Sequence, residues 1–161
     1  MDLEIEIDSP WPGEFDWADI AELAGEAASA VAPELANARL SASLLFTGDA
    51  EVQVLNREWR AKDQPTNVLS FPMLDRAELL ELAPDGPPEL LGDIALAYET
   101  CAREAAEKGA SIEHHTAHLI IHGLLHLAGH DHEISFADAA KMEALEIKAL
   151  ASMGIADPYC D

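Results

Sequence analysis

Four histidines and one aspartate crowd into residues 122–132, "HGLLHLAGHDH", in a chain with seven histidines in all. His122 and His126 are four positions apart, so on a helix they lie one above the other on the same face. Gly129 follows where a glycine commonly adopts a left-handed conformation and reverses the chain. That reversal can bring His132 over the same face. The stretch therefore predicts a helix, a turn and a cluster of three imidazoles.

Three imidazoles with one open coordination position are typical of catalytic zinc, whereas structural zinc prefers four protein ligands that usually include thiolates. The two cysteines, Cys101 and Cys160, are not part of this stretch. We therefore expect one Zn²⁺ per chain, with His122, His126 and His132 as its ligands.

The histidine row extends towards the N-terminus of the same predicted helix, which spans about 112–128 with Ser111 as its N-cap. His114 and His115 are interpreted as surface or packed groups. His118 is open to three interpretations, as a ligand, as a core histidine or as a hydrogen-bonding support of the ligands, and the last is favoured.

The spacing of residues 122–132 is that of the metzincin proteases, in which a glutamate directly follows the first histidine and accepts a proton from the zinc-bound water. Here that position is Gly123, which can accept no proton. A standard protease mechanism therefore fails at the residue that performs the chemistry.

Length and composition favour one globular domain, residues 1–161. Hydrophobic residues make up 49% of the chain and charged residues 25%, as in ordinary folded proteins. The N-terminus "MDLEIEIDSP" has no basic region leading into an apolar run, and the longest apolar runs are too short to span a bilayer. With two cysteines and no disulfide framework, the sequence predicts a cytoplasmic protein without a membrane partner.

The charge balance disfavours nucleic acid as a partner. Nine Lys plus Arg stand against 31 Asp plus Glu, a formal net charge of −22, which repels a phosphate backbone at long range. However, Arg57, Arg60 and Lys62 place three of the nine cations within six positions, in "REWRAK". This cluster indicates either a solvated helix end or the basic rim of a site.

Hydrophobic periodicity predicts an α+β fold, with strands mostly in the first half and helices at the end. Asp16 and Asp49 are candidate N-caps, Pro33 ends the first helix, and the last strand is expected to be central because it is mostly apolar. Strands are predicted over 3–7, 38–49, 66–73 and 90–97, a surface loop over 74–90, and helices over 17–32, 49–60, 98–108, 112–128 and 135–153.

The chain also resembles a known family. "HGLLHLAGHDH" is similar to the H-G-x-L-H-L-x-G-x-D-H signature of the YbeY family, bacterial metal-dependent endoribonucleases also called rRNA maturation factors. Three further stretches resemble the same family in the same order: "LNREWRAKDQPTNVLSFP" (55–72), "LGDIALA" (91–97) and "MEALEIKALASMGIADPY" (142–159). The resemblance as a whole covers nearly the whole chain, with these stretches in the family's order between residues 55 and 159.

The resemblance implies a mixed sheet of about four strands packed with helices, with a three-histidine metal site on a long helix and the turn after it. It also implies single-strand-specific RNA cleavage, maturation of the 3′ end of 16S rRNA and ribosome quality control. The expected partners are the 16S rRNA precursor and the small ribosomal subunit with its proteins; DNA is not expected.

The family's metal ligands fall on His122, His126 and His132, and its functional arginine falls on Arg60. A fixed guanidinium is suited to the charge that develops on phosphorane oxygens, so these four residues are the predicted catalytic set. Arg57 and Lys62 are weaker candidates for substrate contacts.

Supporting roles are expected for Asp93, the aspartate of L-G-D-I, for Asp131 of the signature and for His118. His130 stands where relatives often carry tyrosine, so it could compete with His132 as the third ligand. The proton acceptor remains open between water activated by the metal itself and attack by the ribose 2′-hydroxyl assisted by a histidine such as His130.

Three functions are compatible with the sequence. The first is a zinc-dependent endoribonuclease acting on ribosomal RNA. The second is a metallohydrolase of peptides or amides, which Gly123 disfavours. The third is a ribosome-assembly factor with a mainly structural metal, which the net charge of −22 favours.

Overall fold

The computed structural model describes residues 1–130 and 135–159. Within them lie four strands, six α-helices and a short 3₁₀ helix, Pro33–Ala36. In chain order they are β1 (Asp2–Ile7), α1 (Trp17–Val31), β2 (Leu40–Thr47), α2 (Asp49–Arg60), β3 (Val68–Pro72), α3 (Arg76–Glu81), β4 (Glu89–Ala97), α4 (Tyr98–Lys108), α5 (Ile112–Leu127) and α6 (Phe136–Ser152).

The four strands form one mixed sheet in the order β1-β2-β4-β3. β1 and β4 run parallel to β2, and β3 runs antiparallel to β4. The α+β class and the mixed four-stranded sheet are thus confirmed. β4 lies between two neighbours, as its mostly apolar sequence predicted.

The two faces of the sheet differ. Along β2 the side chains of Leu40, Ala42, Leu44 and Phe46 are buried in the main core, which α1, α5 and α6 share. The intervening side chains point to the other face because strand residues alternate. There α2 covers a smaller cluster around Val52. We call this second, less covered side the open face.

Most predicted helices and caps are confirmed. The Asp16 carboxylate accepts a hydrogen bond from the backbone N–H of Asp19 at the start of α1, and the Ser111 hydroxyl accepts one from His114 at the start of α5. Gly109 ends α4 with a left-handed φ of 67°. Within the described residues, no helix is both long and apolar enough to cross a membrane.

The prediction of Asp49 as the N-cap of its own helix is wrong. Gly48 occupies the cap position, and the Asp49 carboxylate accepts hydrogen bonds from the N–H and hydroxyl of Thr100, at 3.2 and 2.8 Å, in the first turn of α4. In return, Glu99 Oε1 accepts from the Asp49 N–H at 2.9 Å. The two helix starts therefore cap each other across about fifty residues, which local sequence cannot show.

The predicted surface loop over 74–90 is wrong in part, because it contains α3. Asp75 and Glu78 form a capping box: the Asp75 carboxylate accepts from the Glu78 N–H, and the Glu78 carboxylate accepts from the Asp75 N–H. This D-x-x-E pattern is the signal that could have predicted the helix. The prolines and the "DGPP" turn that follow obscured it.

A half-buried polar link joins the residue before β3 to α4 and α5. Asn67 Nδ2 donates to Glu104 Oε1 at 2.9 Å, and Nε2 of the buried His115 meets the same oxygen at 2.9 Å. Burial raises the pKa of Glu104, but the hydrogen bonds from His115 and Asn67 outweigh it, so the net pKa lies below its ordinary value. His115 and Asn67 are therefore structural, and His115 is a packed group, one of the two interpretations that the sequence allowed.

We predict that Glu104→Gln reduces stability at pH 7 and that its effect fades in acid. Because the folded pKa of Glu104 is lowered, its ionised form stabilises the fold fully above the unfolded pKa of about 4.3. That contribution is lost as the pH falls through the folded pKa. Urea midpoints measured from pH 7 to pH 3 should show the gap between wild type and variant narrowing below about pH 4.3.

The matched control is Glu107→Gln on the same helix, where the side chain is 67% exposed. The urea midpoint of Glu107→Gln should lie close to that of wild type at every pH. If the difference in urea midpoint between Glu104→Gln and wild type stays constant down to pH 3, the stabilising role of the ionised Glu104 carboxylate is contradicted.

Candidate metal centre

Helix α5 carries His122 and His126 on one half-buried face. Their ring centroids are 6.0 Å apart, with an interplanar angle of 47°. A separation of this size lets one nitrogen of each ring approach a single ion, since Zn–N bonds are about 2.0–2.1 Å long. The third predicted ligand, His132, and the predicted support Asp131 lie outside the described residues. Within residues 1–130 and 135–159 no group of three metal-binding side chains is assembled, so the three-histidine site stays a prediction.

A buried carboxylate from α6 lies behind this face. Glu146 is 1% exposed. Its Oε2 meets His122 Nδ1 at 3.1 Å and its Oε1 meets His118 Nε2 at 2.5 Å. The Tyr159 hydroxyl donates to Oε1 at 2.7 Å. One carboxylate thus joins α5, α6 and the C-terminal segment.

The charge state of Glu146 fixes the form of His122. Burial raises the pKa of Glu146, but hydrogen bonds from His118, His122 and Tyr159 outweigh it and lower the pKa to about 2. An ionised carboxylate needs the Nδ1 proton of His122, which leaves the lone pair on Nε2, the form that binds metals. A carboxylate behind a ligand histidine is the usual arrangement in zinc proteins. His122 therefore fits the predicted metal.

His118 supports the site through the same carboxylate. With a proton on Nε2, Nδ1 of His118 carries a lone pair that accepts no hydrogen bond from the described residues. An unpaired acceptor on a neutral ring costs less than an unpaired charge. The geometry agrees with the supporting role that the sequence favoured. His114 is exposed.

Sequence reasoning did not assign Glu146, although the M-E-x-x-E stretch that contains it carries part of the family resemblance. Glu146 follows His122 by 24 positions, so no local spacing connects them. The available signal was an acidic residue among apolar positions: Met142, Ala149 and Leu150 on the same helix are fully buried, and a carboxylate on that face needs partners.

The turn after α5 is held by a charged pair. Gly129 has φ +93°, as predicted for a chain reversal. Arg76 Nη1 donates to the Ala128 carbonyl at 2.6 Å and lies 3.3 Å from Glu34 Oε1. The same Glu34 oxygen lies 3.3 Å from His130 Nε2. His130 would have to leave Glu34 before it could offer Nε2 to an ion.

Gly123 is a packing residue. A Cβ at this position would lie 3.0 Å from Cδ1 and 3.4 Å from Cγ1 of Ile94 on β4. The position after His122 thus faces the sheet, about 100° around the helix from the histidine face. A glutamate there would enter the core instead of reaching the ligands' side, so the departure from the protease motif has a structural cause.

We predict that Gly123→Glu destabilises the fold by about 3 kcal/mol or more, because it forces a carboxylate against Ile94 without a partner. Urea denaturation monitored by circular dichroism measures the loss. Gly13→Glu is the control, since Gly13 is exposed and a Cβ added there would have nothing within 4 Å. Equal stability of the two variants would contradict the packing role.

Arg60 is the last residue of α2. Its Nη2 donates to the Ser70 carbonyl of β3 at 2.5 Å, and its guanidinium carbon lies 5.5 Å from the centre of the Phe71 ring. β3 is an edge strand, and α5 packs against it too. Arg60 and the histidine helix therefore share one strand as their support. Arg57 and Lys62 are exposed close to Arg60 in sequence.

Asp93 lies on β4 next to Ile94, whose side chain meets Gly123. Because neighbouring strand residues point to opposite faces, the Asp93 carboxylate is on the open face, paired across the sheet with Phe71. Its support of an imidazole stays a prediction. The residue before it must be a glycine, because a Cβ at Gly92 would overlap the Phe71 carbonyl and crowd Leu127.

These features define a class of protein: an α+β fold on a mixed four-stranded sheet, with a helix-borne histidine pair backed by a buried carboxylate. A family model described as Endoribonuclease YbeY matches residues 9–154. The chain belongs to this family.

Curated relatives match over nearly full length, and each is named Endoribonuclease YbeY. The protein from Erythrobacter litoralis is 66% identical over 161 residues, covering 100% of this chain and 99% of its own. That from Sphingopyxis alaskensis is 52% identical, covering 100% and 98%. That from Zymomonas mobilis is 44% identical, covering 99% and 93%.

A solution structure of a Thermotoga maritima protein has the same fold. Its TM-score is 0.59 at 21% identity, and the match covers 99% of both chains.

Proposed function

We propose that this protein is a zinc-dependent, single-strand-specific endoribonuclease that acts in the cytoplasm on the 16S rRNA precursor, in 3′-end maturation and ribosome quality control. Membership of the Endoribonuclease YbeY family over the whole length carries the endoribonuclease role. The zinc dependence, the ribosomal substrate and the small-subunit partners are the proposal's finer part. The His122–Glu146 contact supports the metal.

A zinc ion held by His122, His126 and His132 would supply Lewis-acid polarisation of a phosphoryl oxygen and a water of lowered pKa. The chain's own task is to orient the groups around it. Glu146 holds His122 in the tautomer whose Nε2 carries the lone pair. His118 and Tyr159 in turn hold Glu146.

Arg60 is prepared to bind a phosphodiester. The Phe71 ring and the Ser70 carbonyl fix its guanidinium plane while the side chain stays exposed. One of its five N–H donors contacts Ser70, and a guanidinium can present two others side by side to phosphate oxygens. Such donors stabilise the charge that develops during cleavage.

Glu146 is excluded as the general base. It is buried, it accepts hydrogen bonds from three side chains, and its pKa of about 2 makes it a poor proton acceptor near neutral pH. Gly123 is also excluded as the general base, because it has no side chain that could accept a proton. The two mechanisms that the sequence left open, water activated by the metal itself and attack by the 2′-hydroxyl, are therefore the ones to distinguish.

A ribosome-assembly factor with a mainly structural metal is the second candidate function. The net charge of −22 supports it, because long-range attraction to RNA is absent. A peptide or amide hydrolase is disfavoured by the packing of Gly123 against Ile94.

We predict about one zinc per chain in protein purified without added metal. Glu146→Gln should weaken zinc binding about 10- to 100-fold, since removing a carboxylate behind a ligand histidine has effects of that size. Competition with a chromophoric chelator measures the affinity. The control is Glu143→Gln, an exposed carboxylate on the same helix. Wild type without metal, with a melting temperature unchanged by chelation, would contradict the site.

We predict that wild type cleaves single-stranded RNA and that His126→Ala reduces cleavage to background. Arg60→Glu should lower the rate about 100-fold or more, the usual cost of losing one donor to the transition state. Gel assays under strict nuclease exclusion measure the rates. Arg103→Glu is the control, a 61% exposed arginine on α4, and should match wild type. Equal residual activity in all four proteins would favour the assembly factor.

A further inference from the structure

We propose that the open face of the sheet beside Arg60 binds an unpaired nucleobase of RNA, with Trp59 as the ring on which the base stacks. The inference rests on the proposed endoribonuclease function and adds to it a substrate subsite. Its parts are the exposed tryptophan, the cavity beneath it, a row of polar groups across the sheet and a basic rim.

Trp59 is the first observation. It is 69% exposed, whereas Trp11 and Trp17 are 5% and 1% exposed in the main core. It precedes Arg60 at the end of α2. Aromatic side chains exposed beside cations are the stacking platforms of proteins that bind single strands, and they accept any base because every base has a π-face.

A cavity of about 510 Å³ opens on the same face. Its size lies within the range of ordinary ligand sites, roughly 300–1,000 Å³. Leu55 and Trp59 of α2 and Phe71 of β3 line it, together with residues of β1, β2 and β4. Apolar and aromatic walls of this kind suit a flat heterocycle better than a phosphate.

The strand register places four residues in one row across the floor of this cavity. Glu4 on β1 pairs with Ser43 on β2, Ser43 pairs with Asp93 on β4, and Asp93 pairs with Phe71 on β3. All four line the cavity, and neighbouring strands are about 4.8 Å apart. The row thus offers carboxylates and a hydroxyl beside an aromatic ring.

Carboxylates in this position select for bases with exocyclic amino groups. Asp and Glu accept hydrogen bonds from cytosine N4, and splayed-out RNA bases are read on their Watson–Crick edges. Uracil has no amino group to donate. Cytosine should therefore bind more tightly than uracil.

The charged residues at the cavity orient the RNA strand. Arg60 lies at the rim of the cavity, because its guanidinium carbon is 5.5 Å from the centre of the Phe71 ring that lines it. Arg57 and Lys62 are exposed close to it in sequence, and Arg57 lies 3.8 Å from Asp63. Phosphates favour this rim, while Glu4 and Asp93 repel them from the interior. A base therefore enters and the backbone stays outside. A basic peptide would fit the carboxylates but would be repelled by Arg60 at the rim, so RNA is the occupant that suits both the carboxylates and Arg60.

The test uses short 2′-O-methyl oligocytidine and oligouridine, which resist cleavage through the 2′-hydroxyl. Wild type should bind the cytidine oligomer more tightly in fluorescence anisotropy, with quenching of tryptophan emission. Trp59→Ala should lose this quenching and bind about tenfold more weakly. Trp59→Phe should recover most of the affinity. Asp93→Asn should narrow the difference between cytidine and uridine.

Leu23→Ala is the control, since Leu23 is an exposed apolar residue on α1, and should bind as wild type does. Unchanged affinity of Trp59→Ala, in a background where wild type cleaves RNA, would overturn the subsite alone. Wild type that neither binds nor cleaves RNA would overturn the proposed function as well. Quenching of Trp59 by an arginine-rich peptide but not by RNA would assign the face to a protein partner and overturn the inference.

Discussion

The buried carboxylate of Glu146 is the interaction on which the candidate site depends. Burying a charge costs several kcal/mol unless partners surround it, and His118, His122 and Tyr159 provide three. Those partners come from α5 and from the segment after α6. The docking of the last helix and the tautomer of His122, a predicted metal ligand, are thus determined by the same contacts. A change that loosens α6 should therefore affect the predicted metal site before it affects the sheet.

The sheet depends on close approach at two glycines. Gly123 lets α5 lie against Ile94, and Gly92 lets β4 pass the Phe71 carbonyl and Leu127. The first contact places the histidine helix on β4, and the second lets β4 and Leu127 of α5 lie close to β3, the strand that also supports Arg60. In this chain the glycine after the first histidine therefore has a positive role. Gly123 lets α5 lie closer to the sheet, whereas a metzincin protease carries its base, a glutamate, at the same position of the motif.

The sequence predicted what is local and periodic. Strand alternation, the caps Asp16 and Ser111 and the turn at Gly129 were all readable because each depends on neighbours within a few residues. The exchange of caps between Asp49 and Thr100 was missed because its partners are distant in sequence. The helix α3 was missed despite its local capping box, since the prolines and turn residues after it dominated the pattern.

At the site the same division holds. The i, i+4 pair His122 and His126 was predictable from helical geometry, whereas Glu146 and the direction of Asp93 required the fold. Asp93 is an example. The L-G-D-I motif identifies this residue but not the face of the sheet on which its side chain lies, because a shift of the strand register by one residue moves every side chain to the opposite face. The strand places its carboxylate opposite Phe71, away from Ile94 and α5.

The net charge of −22 is compatible with an RNA substrate if recognition is local. A Debye length of about 8 Å at physiological ionic strength screens the distant acidic surface, so a phosphate at Arg60 senses mainly the Arg60 guanidinium and the carboxylates of the cavity. Attraction at the rim and repulsion inside act on different parts of one nucleotide. They favour a strand that turns its base towards the protein, which a duplex cannot do without unpairing. If Arg60 and the Glu4–Asp93 row bind RNA as proposed, the same charges that weaken long-range attraction also discriminate against double-stranded RNA.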